Sequence, residues 1–268
     1  MTQLSLWFAC IACLVAGLAY YFRPQARTTQ FIGATAIALH TLSLSQYLFH
    51  GTGYNFLTIG LLIAVIGNAL LWFSNREKDL SLLIAVAFPL TAIIIAVNAI
   101  QPWHLKPFYI ESWGTSVHIL IASVAYSLFT TACGVGILLS IQEYQLKHHR
   151  LKQLLRVPPL QTLERLMFEF IWAAFILLTI TIATGFYCIE DMFAQHLVHK
   201  TCFTIASWIV FAGLLLGRRF AGWRGQLAVK LTLSGFFLLM LGYFGSQIAL
   251  QIVMHEPHTF ESRLTTTF

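Results

Sequence analysis

Residues 117–141 read VHILIASVAYSLFTTACGVGILLSI, a run without a single Asp, Glu, Lys or Arg. A helix needs about 20 apolar residues to cross a hydrocarbon core of about 30 Å. This stretch therefore predicts a transmembrane helix. Segments of the same character lie on both sides of it, at residues 4–22, 31–49, 56–73, 80–100, 166–189, 201–217 and 227–253.

The composition agrees with this interpretation. Of the 268 residues, 58% are apolar and only 10% are charged, whereas soluble domains carry about 25% charged residues. A soluble enzyme, a disordered chain and a disulfide-stapled secreted module are all excluded. We predict an all-α polytopic integral membrane protein with about eight transmembrane helices. Residues 1–110 would form an N-terminal half of four helices, 111–254 a second half of four, and 255–268 a short exterior tail.

The basic residues predict the orientation of the chain in the membrane. The net charge of +6 suggests a topology signal rather than a nucleic-acid site, because Lys and Arg concentrate in cytoplasmic loops. With both termini outside, the outer side holds only Lys106, Lys200 and Arg263. The other thirteen fall inside, at positions 23, 27, 76, 78, 147, 150, 152, 156, 165, 218, 219, 224 and 230.

Several local features accompany this topology. Residues 142–156 are expected to form a basic helix on the inner membrane surface, and Arg165 is spaced to pair with Glu169. The basic loop 218–230 carries Trp223 as an expected interfacial anchor, and Pro89 should kink the fourth span. The five cysteines, at positions 10, 13, 133, 188 and 202, are expected to be small core residues.

The chain contains none of the usual catalytic sequence motifs, so we assign no catalytic residue and favour a non-enzymatic role. Among acidic residues the spans hold only Glu169, near an inner end, which disfavours a proton-coupled transporter. Histidine is the informative residue type, because seven of the ten fall on or near the outer side.

Three histidines are candidate metal ligands. His118 opens the fifth span, with the small Ala122 and Ala125 one and two turns further on and Tyr126 beside them. His199 opens the seventh span, and His40 lies deep in the second. An imidazole there could bind haem iron, but an inter-helix hydrogen bond would satisfy it equally well. A zinc cluster of Glu190, Asp191, His196 and His199 would require their loop to fold back on itself.

Four separated runs resemble the cytochrome c assembly family of the CcsA/HemX type, and in particular its small inner-membrane, YpjD-like subgroup. The runs are WGTSVHIL at 113–120, VPPLQTLERL at 157–166, HKT at 199–201 with Trp208, and GWRG at 222–225. The resemblance implies a multi-pass protein of the bacterial inner membrane that handles haem at the outer face. By motif, His118 corresponds to an external haem ligand of the family.

The resemblance also limits the expected activity. The segment 187–193 reads YCIEDMF, without the paired tryptophans that the family's haem-attaching members carry there. We therefore expect accessory haem binding without synthetase activity. His118 would be the axial ligand, His40 or His199 the second, and Trp113 and Tyr126 neighbours of the cofactor.

The expected partners are the lipid bilayer and proteins of cytochrome c maturation or of the tetrapyrrole pathway, and nucleic acid is not expected. Two other interpretations stay open. One is a haem-free regulatory subunit that docks a partner on the basic helix 142–156, and the other is a small-solute transporter.

Overall fold

A computed structural model describes residues 2–49, 56–100, 113–148, 158–188 and 195–254. Within these ranges the chain forms eight helices. They are α1 (Thr2–Phe22), α2 (Arg27–Phe49), α3 (Phe56–Ser74), α4 (Ser81–Ile100), α5 (Trp113–Lys147), α6 (Leu160–Cys188), α7 (Gln195–Ala221) and α8 (Gly225–Met254). Each contains one of the predicted segments, so the prediction of an all-α polytopic membrane protein is confirmed.

Seven of these helices are long and apolar enough to cross a membrane, counted over the described residues, and α2 is the exception. α2 is less apolar than a membrane span requires, because it contains Arg27, Gln30 and His40. Its first turns are bonded to neighbouring helices: Tyr20 of α1 donates a hydrogen bond to the Gln30 side chain at 3.3 Å. The Trp72 indole of α3 donates to the Gln30 carbonyl at 3.1 Å. The side chain and the carbonyl of Gln30 are thus satisfied by neighbouring helices.

The helices pack in two groups that meet at α5. In the first group, α1 lies against α2 and α4, and α3 completes it. In the second, α5 packs extensively on α6 and also on α8, while α7 packs on α8. Between the groups, α5 contacts α3, where the Ser127 hydroxyl lies 2.8 Å from the Ile63 carbonyl oxygen. Inside the second group the rings of Phe129 and Phe211 stack at 4.0 Å.

Pro89 lies inside α4, as predicted, and α4 continues through it. Because proline has no N–H, the carbonyl of Ala85 one turn earlier loses its helical partner. Gly17 of α1 lies against this site, where a Cβ would stand 2.6 Å from the Pro89 ring and 3.3 Å from the Ala85 oxygen. A glycine therefore lets the two helices approach closely over the freed carbonyl.

The end of the bundle that is predicted to face inward holds all four ion pairs of the described residues. Glu169 accepts hydrogen bonds from Arg165 at 2.7 Å and from Lys78 at 3.4 Å, which confirms the predicted Arg165–Glu169 pair. The other two ion pairs are Lys147–Glu143 and Arg218–Glu164. Two of the pairs lie within one helix, whereas Lys78–Glu169 and Arg218–Glu164 join different elements; exposed pairs of this kind contribute little stability.

Two sequence-based expectations about this region are wrong. Residues 142–147 continue α5 instead of starting a separate surface helix, and Gln142 is buried; residues 149–157 lie outside the described part. The loop after α7 spans only three residues, 222–224, because α7 extends to Ala221. Trp223 packs back on Gly217, where its indole leaves no room for a Cβ; its role as an interfacial anchor stays a prediction. Gly222, at φ 66°, permits this reversal.

The cysteines partly match their prediction. Cys10, Cys13 and Cys133 are buried and free, but Cys202 is exposed. Cys202 lies near the start of α7, on a face that the other helices do not cover, so its prediction as a core residue is wrong. The side chain of Cys188 lies outside the described residues.

We expect Gly17→Ala to destabilise the protein by about 1–3 kcal/mol, the usual cost of overpacking. The added methyl would overlap the Pro89 ring. The measurement is the thermal unfolding midpoint in detergent. Gly67→Ala in α3 is the matched control, since nothing lies within 4 Å of its added methyl; equal midpoints for the two variants would contradict the contact.

The orientation predicts opposite labelling of cysteines placed at the two ends. In a chain without its native cysteines, Trp113→Cys should react with a membrane-impermeant maleimide in intact spheroplasts, because Trp113 is 84% exposed at the outer end. Arg224→Cys, exposed in the loop after α7, should react only after permeabilisation. Labelling after permeabilisation controls for thiol reactivity, and the reverse pattern would overturn the orientation.

Candidate functional site: an apolar chamber beside His118

A chamber opens beside His118, toward the end of the bundle that is predicted to face outward. Its enclosed volume is about 150 Å³. Side chains of α3, α5, α6, α7 and α8 line it, and they are Ile59, Ile63, His118, Ile119, Ala122, Ser123, Tyr126, Leu178, Thr181, Ile182, Gly185, Lys200, Thr201, Thr204, Ile205 and Tyr243. Most of the lining surface is apolar, which suits an apolar ligand.

One face of α5 supplies the longest part of this wall. His118, Ala122 and Tyr126 follow each other at four-residue intervals, so they stand above one another on the helix. The sequence predicts space beside His118 because Ala122, one turn further on, is small. This space is present in the structure, where Ala122 lines the chamber. Ala125 is fully buried and does not line the chamber.

Half of the lining residues carry a polar side-chain group, and two of them, His118 and Tyr126, bond to other helices. The Nδ1 atom of His118 lies 3.0 Å from the Thr184 hydroxyl of α6, and His118 is half-buried. Tyr126, 7% exposed, donates its phenol proton to the Leu239 carbonyl at 3.3 Å. Its ring lies 5.9 Å from that of Tyr243. The two aromatic rings thus form a rigid wall opposite the aliphatic side chains of α6.

Lys200 introduces a positive charge at this site. It lines the chamber, and its ammonium group is close enough to His118 for a Coulomb interaction between them. A carboxylate or another anionic group on a ligand would find its counter-charge there.

The wall between α6 and α7 is thin. Ile182 and Ile205 line both the chamber and a groove on the outside of the bundle. The groove is bounded by Trp208, whose indole N–H donates to the Thr179 hydroxyl at 2.9 Å. Two isoleucine side chains therefore separate the chamber from the lipid-facing surface.

The structure unites some of the candidate residues and separates others. His118 and Tyr126 share the chamber, whereas Trp113 is exposed and His40 does not line it. His40 is only 1% exposed, and neither ring nitrogen has a hydrogen-bond partner within the described ranges. The side chain of His199 lies outside the described residues, but Lys200 beside it faces the chamber.

No group of three or more His, Cys, Asp and Glu side chains that could hold a metal ion occurs in the ranges 2–49, 56–100, 113–148, 158–188 and 195–254. The zinc cluster considered above involves Glu190 and Asp191, which lie outside the described residues, as do the side chains of His196 and His199.

Three site residues were not found from the sequence. Thr184 and Tyr243 come from α6 and α8, and only packing brings them to α5. Lys200 did carry a signal, because it is one of just three basic residues assigned to the outer side.

Comparison with known proteins now gives the family. The cytochrome c assembly protein family matches residues 3–254, nearly the whole chain. The chain belongs to this family. The match covers all eight helices, so the resemblance seen in four short runs extends over the full bundle.

Two curated relatives of this cytochrome c assembly protein illustrate its place in the family. The "Inner membrane protein YpjD" of Escherichia coli K12 is 26% identical, over 91% of this chain and 94% of the relative. An "Uncharacterized 28.8 kDa protein in nifR3-like 5'region" of Azospirillum brasilense is 31% identical over 52% of each chain. No solved structure matches the chain significantly. The name of the first relative and the apolar helices support the predicted location in a bacterial inner membrane.

Proposed function

We propose that this cytochrome c assembly protein binds haem in the chamber, with His118 as an axial ligand, and handles it at the outer face without synthetase activity. The observation that carries the proposal is a half-buried imidazole in an apolar chamber of a protein of this family. The chamber also offers a cation, Lys200.

The chemistry of the lining fits haem. Imidazole is the commonest protein ligand of haem iron, and one nitrogen of His118 remains after the contact with Thr184. The aliphatic side chains and the two tyrosines suit a flat apolar macrocycle, while Lys200 suits one of its carboxylates.

The size of the chamber constrains how haem would sit. Pockets for drug-sized ligands measure about 300–1,000 Å³, so an enclosed volume of about 150 Å³ takes only part of the macrocycle. The thin wall of Ile182 and Ile205 is where the remainder would extend, since α6 and α7 are in contact over only a small area. Haem would therefore be held by one edge and stay accessible to a partner.

When bound, haem supplies the iron and the porphyrin chemistry, and the protein supplies ligation, orientation and electrostatics. His118 would bind the metal from α5. Tyr126 and Tyr243 would limit how the ring tilts, and the aliphatic wall would exclude water.

The second axial ligand is proposed among the other histidines. His199, the residue before Lys200, stands next to a residue that lines the chamber. His40 is buried without a hydrogen-bond partner among the described residues, a costly state for an imidazole, but it does not line the chamber, so it would have to move toward it to bind the same iron. The proposed partners are proteins of cytochrome c maturation, which would receive haem at the outer face, or proteins of the tetrapyrrole pathway.

We expect His118→Ala to lose most of the bound haem, at least tenfold, because it removes the axial donor. The measurement is the Soret absorbance per mole of purified protein from haem-replete cells. His148→Ala is the matched control: His148 is exposed at the other end of α5, and its Nδ1 lies 2.9 Å from the Tyr144 carbonyl oxygen. Wild-type protein that carries no haem, and takes up none when it is added, would overturn the proposal. A stable haem-free complex with one tetrapyrrole-pathway enzyme would then favour a regulatory subunit.

We expect Lys200→Gln to weaken haem binding about fivefold, since an exposed charge pair contributes up to about 1 kcal/mol. Lys200→Arg should keep the wild-type affinity, because it retains the positive charge. Lys230→Gln should also leave the affinity unchanged, because Lys230 is exposed at the other end of the bundle. The measurement is haem titration of the apoprotein in detergent. Equal affinities for Lys200→Gln and wild type would show that no carboxylate lies near Lys200.

A further inference from the structure

The contact between His118 and Thr184 joins α5 to α6 and has a definable hydrogen-bond direction. The Thr184 Oγ1 atom lies 3.0 Å from His118 Nδ1. The same oxygen lies 2.9 Å from the Ile180 carbonyl oxygen and 3.1 Å from that of Thr181, both in its own helix.

The two short O···O distances locate the hydroxyl proton. A carbonyl oxygen can only accept, so these two approaches direct the proton of Thr184 at the Ile180 carbonyl, or share it between that carbonyl and the one of Thr181. A hydroxyl has one proton, which is therefore directed at the backbone, as is usual for threonine in a helix. What Thr184 can offer to His118 is a lone pair, and the ring must then donate its Nδ1–H.

The neighbouring contact of Trp208 provides an internal comparison. An indole nitrogen can only donate, and Trp208 donates to Thr179 at 2.9 Å. The Thr179 hydroxyl in turn lies 2.8 Å from the Phe175 carbonyl oxygen one turn earlier. Thr179 thus shows, in the same helix, the arrangement inferred for Thr184: the proton on its own backbone and the lone pair toward a ring N–H.

We propose that Thr184 is a positioning residue that holds neutral His118 in the Nδ1–H form, so that Nε2 keeps the lone pair needed to bind a metal. The role in haem binding rests on the proposed function above, but the proton assignment does not. A hydrogen bond from the second ring nitrogen is the usual way in which a protein fixes the orientation and tautomer of a ligating histidine.

The chain offers a matched pair of variants. Thr184→Val removes the acceptor for His118 with little change in volume, and Thr184→Ser retains it. Thr181→Val is the control, because Thr181 lies in the same helix and lines the same chamber. Its hydroxyl donates to the Leu177 carbonyl at 2.8 Å, so its loss should not affect His118.

The first experiment uses the haem-free, full-length protein in detergent. The ring nitrogens of His118, assigned by comparison with His118→Gln, are observed by ¹⁵N NMR at pH 8, above the ordinary histidine pKa of about 6.5. We expect a protonated Nδ1 and an unprotonated Nε2 in wild type, Thr184→Ser and Thr181→Val, and a shift toward the Nε2–H form in Thr184→Val. A wild-type ring protonated on Nε2, or an unchanged ring in Thr184→Val, would overturn the proposal.

The second experiment measures haem affinity and the Soret maximum of the same variants. Loss of such a supporting hydrogen bond typically costs 10–100-fold in metal affinity, so we expect this loss for Thr184→Val. The control for affinity is Thr130→Val, which should bind haem like wild type, because Thr130 is exposed on α5 outside the chamber and its hydroxyl donates to the Tyr126 carbonyl at 2.7 Å. Unchanged affinity and spectrum in Thr184→Val would overturn the positioning role. A wild-type chain that holds the Nδ1–H form but takes up no haem would overturn the proposed function and leave the proton assignment in place.

Discussion

Inside a hydrocarbon layer no water replaces a missing hydrogen bond, and this constraint determines the backbone and side-chain chemistry of the whole bundle. The backbone complies by forming helices throughout. Hydroxyl side chains comply by donating to the carbonyl one turn earlier, as Ser123, Thr131 and Thr232 do. Once their protons are committed in this way, threonines act toward neighbouring helices as acceptors. Among the contacts that cross between helices near the chamber, Trp208 donates its N–H to the Thr179 hydroxyl of α6, as is proposed for His118 toward Thr184, and Tyr126 donates its O–H to the Leu239 carbonyl of α8.

The helices could be predicted from the sequence because each depends on an uninterrupted apolar run, which is a local property. The ends of the helices were harder to predict from the sequence. For example, α7 continues to Ala221 through two arginines, because a membrane helix can extend beyond the hydrocarbon core. The chamber was predictable only on its α5 side, where the four-residue spacing of His118, Ala122 and Tyr126 is visible in the sequence. Thr184, Lys200 and Tyr243 come from other helices, and their proximity is set by packing that no periodicity encodes. The roles of Trp113 and His199, and the division of the chain at residue 110, stay predictions.

The chamber adds a specific candidate site to the family assignment. It places one imidazole, one ammonium group and two phenol rings around a mostly apolar space, and these groups lie at the end of the bundle away from the ion pairs of Glu143, Glu164 and Glu169. The ion pairs of the described residues thus lie at one end of the bundle, and the candidate binding site lies at the other. This arrangement agrees with the proposed handling of haem on one side of the membrane. The charged contacts lie at the opposite end of the bundle.

The polarity of α2 has a consequence for biogenesis. A translocon tests each segment for its partitioning into lipid, and a segment containing arginine, glutamine and histidine partitions poorly on its own. The contacts of Gln30 with Tyr20 and Trp72 supply partners that lipid cannot. The short connection after Phe22, in which the Thr29 hydroxyl donates to the Arg23 carbonyl at 2.7 Å, keeps α1 beside α2 in the folded bundle. For the polar residues at the start of α2, α1 and α3 therefore take the part that water plays for a helix of a soluble protein.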